Sequence, residues 1–258
     1  MRRQPLKGRG IVVTRPAHQA QPLARLIRDA GGRVFLFPAI EIRDIEDPGL
    51  FTQLIDRLDE FDLAVFVSPN AVERGMSVIS ARRKFPRRLQ VATVGGGSVR
   101  ALEQFGITGV IAPQGRSDSE ALLELPALAA MGGRRVVIFR GAGGREALGD
   151  TLRERGATVE YAECYRRVRP ALDVAPLLEA WSRKGVDAIT VTSSEGLRNF
   201  ADMIGPGGRE RLPDTPLFAP HPRIAEAAHG LGVNKVIVTG PGDTGLVTGL
   251  CAYFGALR

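Results

Sequence analysis

Short runs of uninterrupted apolar residues recur along the chain, separated by longer stretches in which apolar residues return at helical spacing. The runs lie near residues 11–14, 34–37, 63–67, 91–94 and 110–111, and again near 136–139, 158–161, 188–191, 217–219 and 236–238. A strand with one wet face alternates apolar and polar residues. These runs do not, which predicts strands covered on both faces. Interleaved with helices, such strands predict parallel sheets of an α/β protein. Residues 136–167 show the unit most clearly: the run VVIF, a glycine-rich turn, a helical pattern with Ala147, Leu148 and Leu152 on one face, then Gly156 and a second strand-like run ending at Tyr165.

The pattern repeats. Shifted by 125 positions, Ile11 falls on Val136, Gly31 and Val34 fall on Gly156 and Val159, Asp62–Ser68 falls on Asp187–Ser193, and Ser117-Asp118 falls on Gly242-Asp243. Several matches at one offset predict an internal duplication, and hence two doubly wound parallel-sheet domains.

Doubly wound sheets bind ligands where strands turn into helices at their carboxyl ends. The residues at those turns are Thr14-Arg15-Pro16, Ser68-Pro69-Asn70, Gly95 to Ser98, residues 140–145, Thr192 to Glu195, His221-Pro222-Arg223 and Thr239-Gly240-Pro241. Ser68 followed by Pro69 is an N-cap ahead of a first-turn proline, and Thr192 with Glu195 has capping-box spacing. Each residue taken singly either starts a helix or contacts a ligand. Together they present several helix N-termini, whose unpaired N–H groups favour carboxylate or phosphate.

Composition narrows the class. In 258 residues, 44% are hydrophobic and 24% charged, and 31 glycines with 17 prolines suit many short turns, as in a globular α/β protein. The opening MRRQPLKGRG carries no apolar signal-peptide core and no run is long enough to span a membrane, so a cytoplasmic protein without a membrane partner is expected. Two cysteines, Cys164 and Cys251, are too few for a disulfide framework and lack metal-ligand spacing; Cys164 is expected to pack under the sheet. An excess of 35 basic over 28 acidic residues, net +7, favours an anionic ligand. The basic run RRKFPRR at residues 82–88 reads as a solvated loop beside a helix end, and nucleic acid is not expected as a partner.

Several chemistries find no grammar here. Starting from Gly141 and Gly143, the last glycine of a dinucleotide fingerprint would fall on Glu146, and Gly95 to Gly97 lack the Lys-Ser/Thr of a P-loop. His18, His221 and His229 are scattered with no metal or triad spacing, so no metal site is expected. Asp118 and Asp243 read as helix caps. Tyr165 ends a strand just before the proline-marked link 166–170, where its ring either faces a cleft or packs in a core.

The motifs VVTRP at Val12, FVSPNAV at Phe66, TVGGGSVRAL at Thr93, SDSEALLEL at Ser117, Tyr165-Arg166-Arg167, ITVTSSEGLRNF at Ile189 and APHPRIAEAA at Ala219 resemble, in order and spacing, the uroporphyrinogen-III synthase family. The resemblance covers nearly the whole chain. It implies that the duplicated halves exchange their first βαβ arms, giving one domain from residues 1–38 plus 168–258 and another from 39–167, joined by a two-stranded tether near 38–43 and 163–169. It implies cyclisation of hydroxymethylbilane with inversion of the terminal pyrrole and loss of water, with no cofactor. Tyr165 matches the family's cleft tyrosine, and a phenol with a pKa near ~10 is a proton donor at neutral pH. Ser68, Asn70, Ser98, Ser193 and His221 match cleft positions that contact the substrate. Ser98 stands where the family usually has threonine, and His221 either meets a substrate carboxylate or caps its helix. Arg15 and Arg140, at repeat-equivalent positions, either attract substrate carboxylates or pair with acids at the sheet edge. A monomer is implied, with the linear tetrapyrrole as its ligand and the upstream deaminase as a transient contact. The alternative is a non-catalytic two-domain module that binds an anion or a tetrapyrrole.

Overall fold

A computed structural model describes residues 4–116 and 118–256. Ser117, which opens one of the repeat matches, lies outside them. The chain is an α/β protein with two parallel-sheet units, one formed by residues 4–41 and 168–256, the other by residues 42–167.

In the first unit, β1 (Gly10–Val13), α1 (Ala17–Asp29) and β2 (Arg33–Leu36) come from the start of the chain. The second unit follows with β3 (Glu41–Arg43), whose first residue belongs to the first unit, then α2 (Gly49–Asp56), β4 (Leu63–Phe66), α3 (Pro69–Arg82), β5 (Gln90–Thr93), α4 (Gly96–Gln104), α5 (Ser119–Leu123), β6 (Arg135–Gly141), α6 (Ala147–Glu154) and β7 (Thr158–Val168). The chain then completes the first unit with α7 (Ala175–Ser182), β8 (Ala188–Thr190), α8 (Ser194–Met203), α9 (Gly205–Arg209), β9 (Leu217–Ala219), α10 (Pro222–Gly230), β10 (Val236–Val238) and α11 (Gly242–Ala256). Sheet orders are β10-β9-β8-β1-β2 and β3-β7-β6-β4-β5. Strands opening at Gly10, Arg33 and Leu63 have counterparts opening at Arg135, Thr158 and Ala188, each 125 residues on.

Two local expectations change. The run at 110–111 forms only a single parallel bridge, Ile111 to Ala92, beside β5. The apolar run near 158–161 and the strand-like stretch expected to end at Tyr165 are one strand that continues to Val168. Glu41–Arg43, within the crossing from which a two-stranded tether is expected, is a strand next to β7 in the second unit's sheet.

Successive side chains of a strand point to opposite faces, and each sheet shows it. Ala64 and Phe66 of β4 and Val137 and Phe139 of β6 enter one cluster, while Leu63, Val65, Val136 and Ile138 enter a second on the other face. In the first unit Val12 and Ile189 face one cluster and Ile11, Val13 and Ala188 the other. Phe66 and Phe139 stack with centroids 4.4 Å apart, and α3 crosses them at Gly75, where a Cβ would come within 2.9 Å of the Phe139 ring. Two aspartates 125 residues apart set the strand starts: Asp62 accepts from the Arg135 N–H at 2.8 Å, and Asp187 from the Gly10 N–H at 2.7 Å. Among the described residues no helix is long and apolar enough to cross a membrane.

Candidate functional site

The carboxyl ends of β4 and β5 in the second unit run directly into helices. Ser68 has extended backbone and its Oγ accepts the Ala71 N–H at 3.1 Å, capping α3 with Pro69 in the first turn. Asn70 follows in the same turn. Gly95 takes the cap position of α4, and Ser98, 2% exposed, lies in its first turn. A Cβ placed at Gly97 would sit 3.5 Å from Pro69 Cγ, so the opening turns of α3 and α4 are neighbours. Thr93 Oγ1 ties the strand ends by donating to the Phe66 carbonyl at 2.6 Å.

Tyr165 lies against this pair of turns. Its hydroxyl is 3.1 Å from Ser68 Oγ, and the residue is only 2% exposed. A register shift brings it there. Across β6 and β7, Arg140 pairs with Glu163 but Gly141 pairs with Tyr165, leaving Cys164 unopposed. That extra residue is a β-bulge, which re-aims the side chains after it. Ala162, Cys164 and Tyr165 consequently all face the cluster beneath α3, whereas strict alternation would have turned Tyr165 to the other face. Gly141 makes the room, since a Cβ there would lie 2.7 Å from the Tyr165 ring. The Ala142 N–H holds the Tyr165 carbonyl at 2.8 Å.

Arg140 is not part of this group. Its guanidinium lies on the opposite face, over the Tyr161 ring at 3.8 Å, and donates to Glu163 at 3.1 Å and to the Gly144 and Arg145 carbonyls at 3.1 and 3.4 Å. It clamps the glycine-rich turn after β6. Asp118 caps α5, accepting from the Ala121 N–H at 2.7 Å and pairing with Arg116.

The first unit repeats the arrangement without a tyrosine. Ser193 caps α8, accepting from the Gly196 N–H at 2.9 Å, and His221 caps α10 through Nδ1, which accepts the Arg223 N–H at 3.1 Å. The capping box expected from Thr192 and Glu195 does not form; the cap is one residue later, because it is Ser193 whose side chain reaches the third residue on. Helices α8 and α10 share one face and its core. Arg15 is again set apart, in a 2.5 Å ion pair with Asp243 in the first turn of α11. Thus Ser68, Asn70, Ser98 and Tyr165 come together in one unit and Ser193 and His221 in the other, while both arginines carry carboxylate partners. Two features lay beyond the sequence reading: the Ser68–Tyr165 contact and the bulge that creates it. Neither leaves a signal in the sequence, because the one-residue shift exists only once the two strands are paired.

In the basic run, Arg82 forms a fork with Asp56 at 2.6 and 3.1 Å, which holds that carboxyl below its ordinary value, and Arg83 donates to the Asp56 carbonyl at 2.8 Å. Among the described residues no cluster of three or more His, Cys, Asp or Glu side chains could hold a metal.

The profile of the family "Uroporphyrinogen-III synthase HemD" matches residues 21–247. The chain belongs to the uroporphyrinogen-III synthase family. The synthase of Escherichia coli K12 is 34% identical over 235 residues, covering 90% of this chain and 96% of the relative. That of Salmonella typhimurium LT2 is 34% identical over 236 residues, with the same coverage of 90% and 96%. The family's fold recurs in solved structures. A uroporphyrinogen III synthase from the extremely thermophilic bacterium Thermus thermophilus superposes with a TM-score of 0.66 at 19% identity, covering 96% of this chain and 98% of that one. The Helicobacter pylori 26695 synthetase gives 0.58 at 16%, covering 97% and 100%.

Proposed function

We propose that the protein cyclises hydroxymethylbilane to uroporphyrinogen III, inverting the terminal pyrrole and releasing water, as a cyclising hydro-lyase of tetrapyrrole (heme) biosynthesis. The observation that carries this is the 34% identity to the E. coli synthase, extending over 96% of that enzyme.

The chemistry needs little beyond one proton donor and a fixed substrate geometry. The terminal pyrrole's electron pair expels the hydroxyl; a proton from the Tyr165 phenol turns the leaving group into water, and the proton later shed by the pyrrole carbon restores the phenol. Ring closure without inversion is open to the free substrate, so the larger task is to hold the chain folded for attack at the inverted ring. Substrate acetates and propionates are anionic, and the opening turns of α3, α4, α8 and α10 offer N–H groups and positive dipole ends to them. In this reading Asn70 and Ser98 with the Ser68-capped turn, and Ser193 and His221, are the substrate contacts. Arg15 and Arg140, each with a carboxylate of its own, support the ends of β1 and β6. No cofactor takes part, and the protein acts in the cytoplasm as a monomer, its contact with the upstream deaminase at most transient. At 2% exposure Tyr165 is covered here, so substrate binding has to uncover its hydroxyl.

Tyr165→Phe tests the assignment. Turnover should fall by about a hundredfold or more, the usual worth of a positioned general acid, while thermal unfolding is nearly unchanged. Unaltered turnover removes Tyr165 as the acid. Tight binding of hydroxymethylbilane without any turnover of the unmodified protein would favour a silent binding module.

A further inference from the structure

A phenol serves as an acid only if its O–H points at the leaving oxygen, and three features around Tyr165 hold its ring and hydroxyl oxygen in place. Ser68 Oγ has two lone pairs and one proton. One lone pair takes the Ala71 N–H at 3.1 Å, which locks the side chain as the cap of a 14-residue helix. What remains toward Tyr165, also at 3.1 Å, is a proton and one lone pair. On the other strand, a Cβ at Gly141 would lie 2.7 and 2.8 Å from Cε2 and Cζ of the ring and 3.2 Å from the hydroxyl oxygen. The bulge at Cys164 turns the ring into the gap so left.

We propose that Ser68 and Gly141 are positioning residues for Tyr165, the serine by donating its O–H to the phenol oxygen and the glycine by admitting the ring across the strand pair. With Ser68 as donor, the phenol's own proton is left for the leaving hydroxyl. When that proton moves to the leaving oxygen and the carbon–oxygen bond breaks, the same Ser68 O–H stays on the phenolate until the pyrrole carbon returns a proton. The proposal rests on the reading of Tyr165 as the acid. It assigns the glycine at the start of a turn that resembles a nucleotide fingerprint to the tyrosine opposite it.

The test uses the full chain with hydroxymethylbilane, and the variants Ser68→Ala, Ser68→Thr, Gly141→Ala, Tyr165→Phe and Ser68→Ala with Tyr165→Phe. Ser68→Ala should lower kcat about five- to tenfold, the worth of one hydrogen bond, with KM held within about twofold, as for an interaction felt only in the transition state. Ser68→Thr, which keeps the hydroxyl, should recover most of it, and Gly141→Ala should lower kcat by at least as much as Ser68→Ala. In the Tyr165→Phe background Ser68→Ala should cost less than about twofold, since residues acting as a unit are not additive. An undiminished cost in that background, or a loss confined to KM, overturns the proposal. A second readout does not need activity. In protein labelled with ¹³C at tyrosine Cζ, three resonances are expected from the three tyrosines, and Ser68→Ala and Gly141→Ala should each move that of Tyr165. An unmoved resonance overturns the positioning claim even if turnover falls. If Tyr165→Phe leaves turnover intact, the acid assignment fails by itself, and a moved resonance still upholds Ser68 and Gly141 as the residues that place the ring.

Discussion

Cys164, the residue that the bulge leaves unopposed, is buried so thoroughly that its thiol is pushed up to about 12 from 9.0. Lost hydration dominates, and its contacts with the Arg140 and Ala71 carbonyls, at 3.4 and 3.8 Å, suit the neutral thiol. The sign for stability follows. The unfolded chain gives up this proton first as pH rises, so the thiol's contribution is whole below 9.0 and is lost between 9.0 and about 12. Urea unfolding of the unmodified protein should therefore weaken more steeply with pH above 9.0 than that of Cys164→Val; parallel curves would contradict this. Single residues also show where sequence reading stops. Ser68 was legible as a helix start, and His221 as one of two alternatives, because a cap is settled within a few residues of chain, whereas the start at Ser193 was read one residue early, at Thr192. For Arg15 an acid partner was one of two readings, but which acid was not legible, since Asp243 comes to it from α11, much further along the chain. The ring of Tyr165 was undecidable for a related reason: its direction depends on a one-residue shift against a strand that no local pattern reveals.

At the scale of elements, the strands were readable from their apolar runs, and β9 and β10 begin and end at the expected residues; the central strands such as β9 are buried on both faces, whereas the edge strands β2 and β10 are only partly covered. The run at residues 110–111 was too short to hold more than one bridge. The extension of β7 to Val168 crosses polar residues that pair elsewhere, Glu163 with Arg140 and Arg166 with Glu46, so no apolar run marks it and the family resemblance alone implied a strand there past Tyr165. In the proposed function helix starts are what the elements contribute to binding, and their caps can be weighed separately from activity. Ser193→Ala removes the side-chain partner of the Gly196 N–H and should cost about 1 kcal/mol. Trp181 is the chain's one tryptophan; it is 4% exposed, donates to Thr215 Oγ1 at 3.0 Å, and packs in the core that includes Leu197 and Phe200 of α8. Its emission should follow the shift of the unfolding midpoint in Ser193→Ala. An unshifted midpoint would mean that the cap is not holding α8.

At the scale of the whole molecule, two sheets with matching strand spacing each place helix N-termini at their carboxyl ends, and only one of them supplies a buried phenol there. A net charge of +7 suits a ligand bearing many carboxylates. In the proposed function binding is spread over several helix ends and proton donation is concentrated in Tyr165, a division that needs few ionisable side chains. The most direct measurement of the central claim is the isomer ratio of the product. Hydroxymethylbilane is supplied to the unmodified protein, the porphyrinogen is oxidised, and the type I and type III isomers are separated and timed. The account predicts type III as the main product, formed faster than the spontaneous closure. Type I alone, appearing at the rate seen without protein, would contradict it.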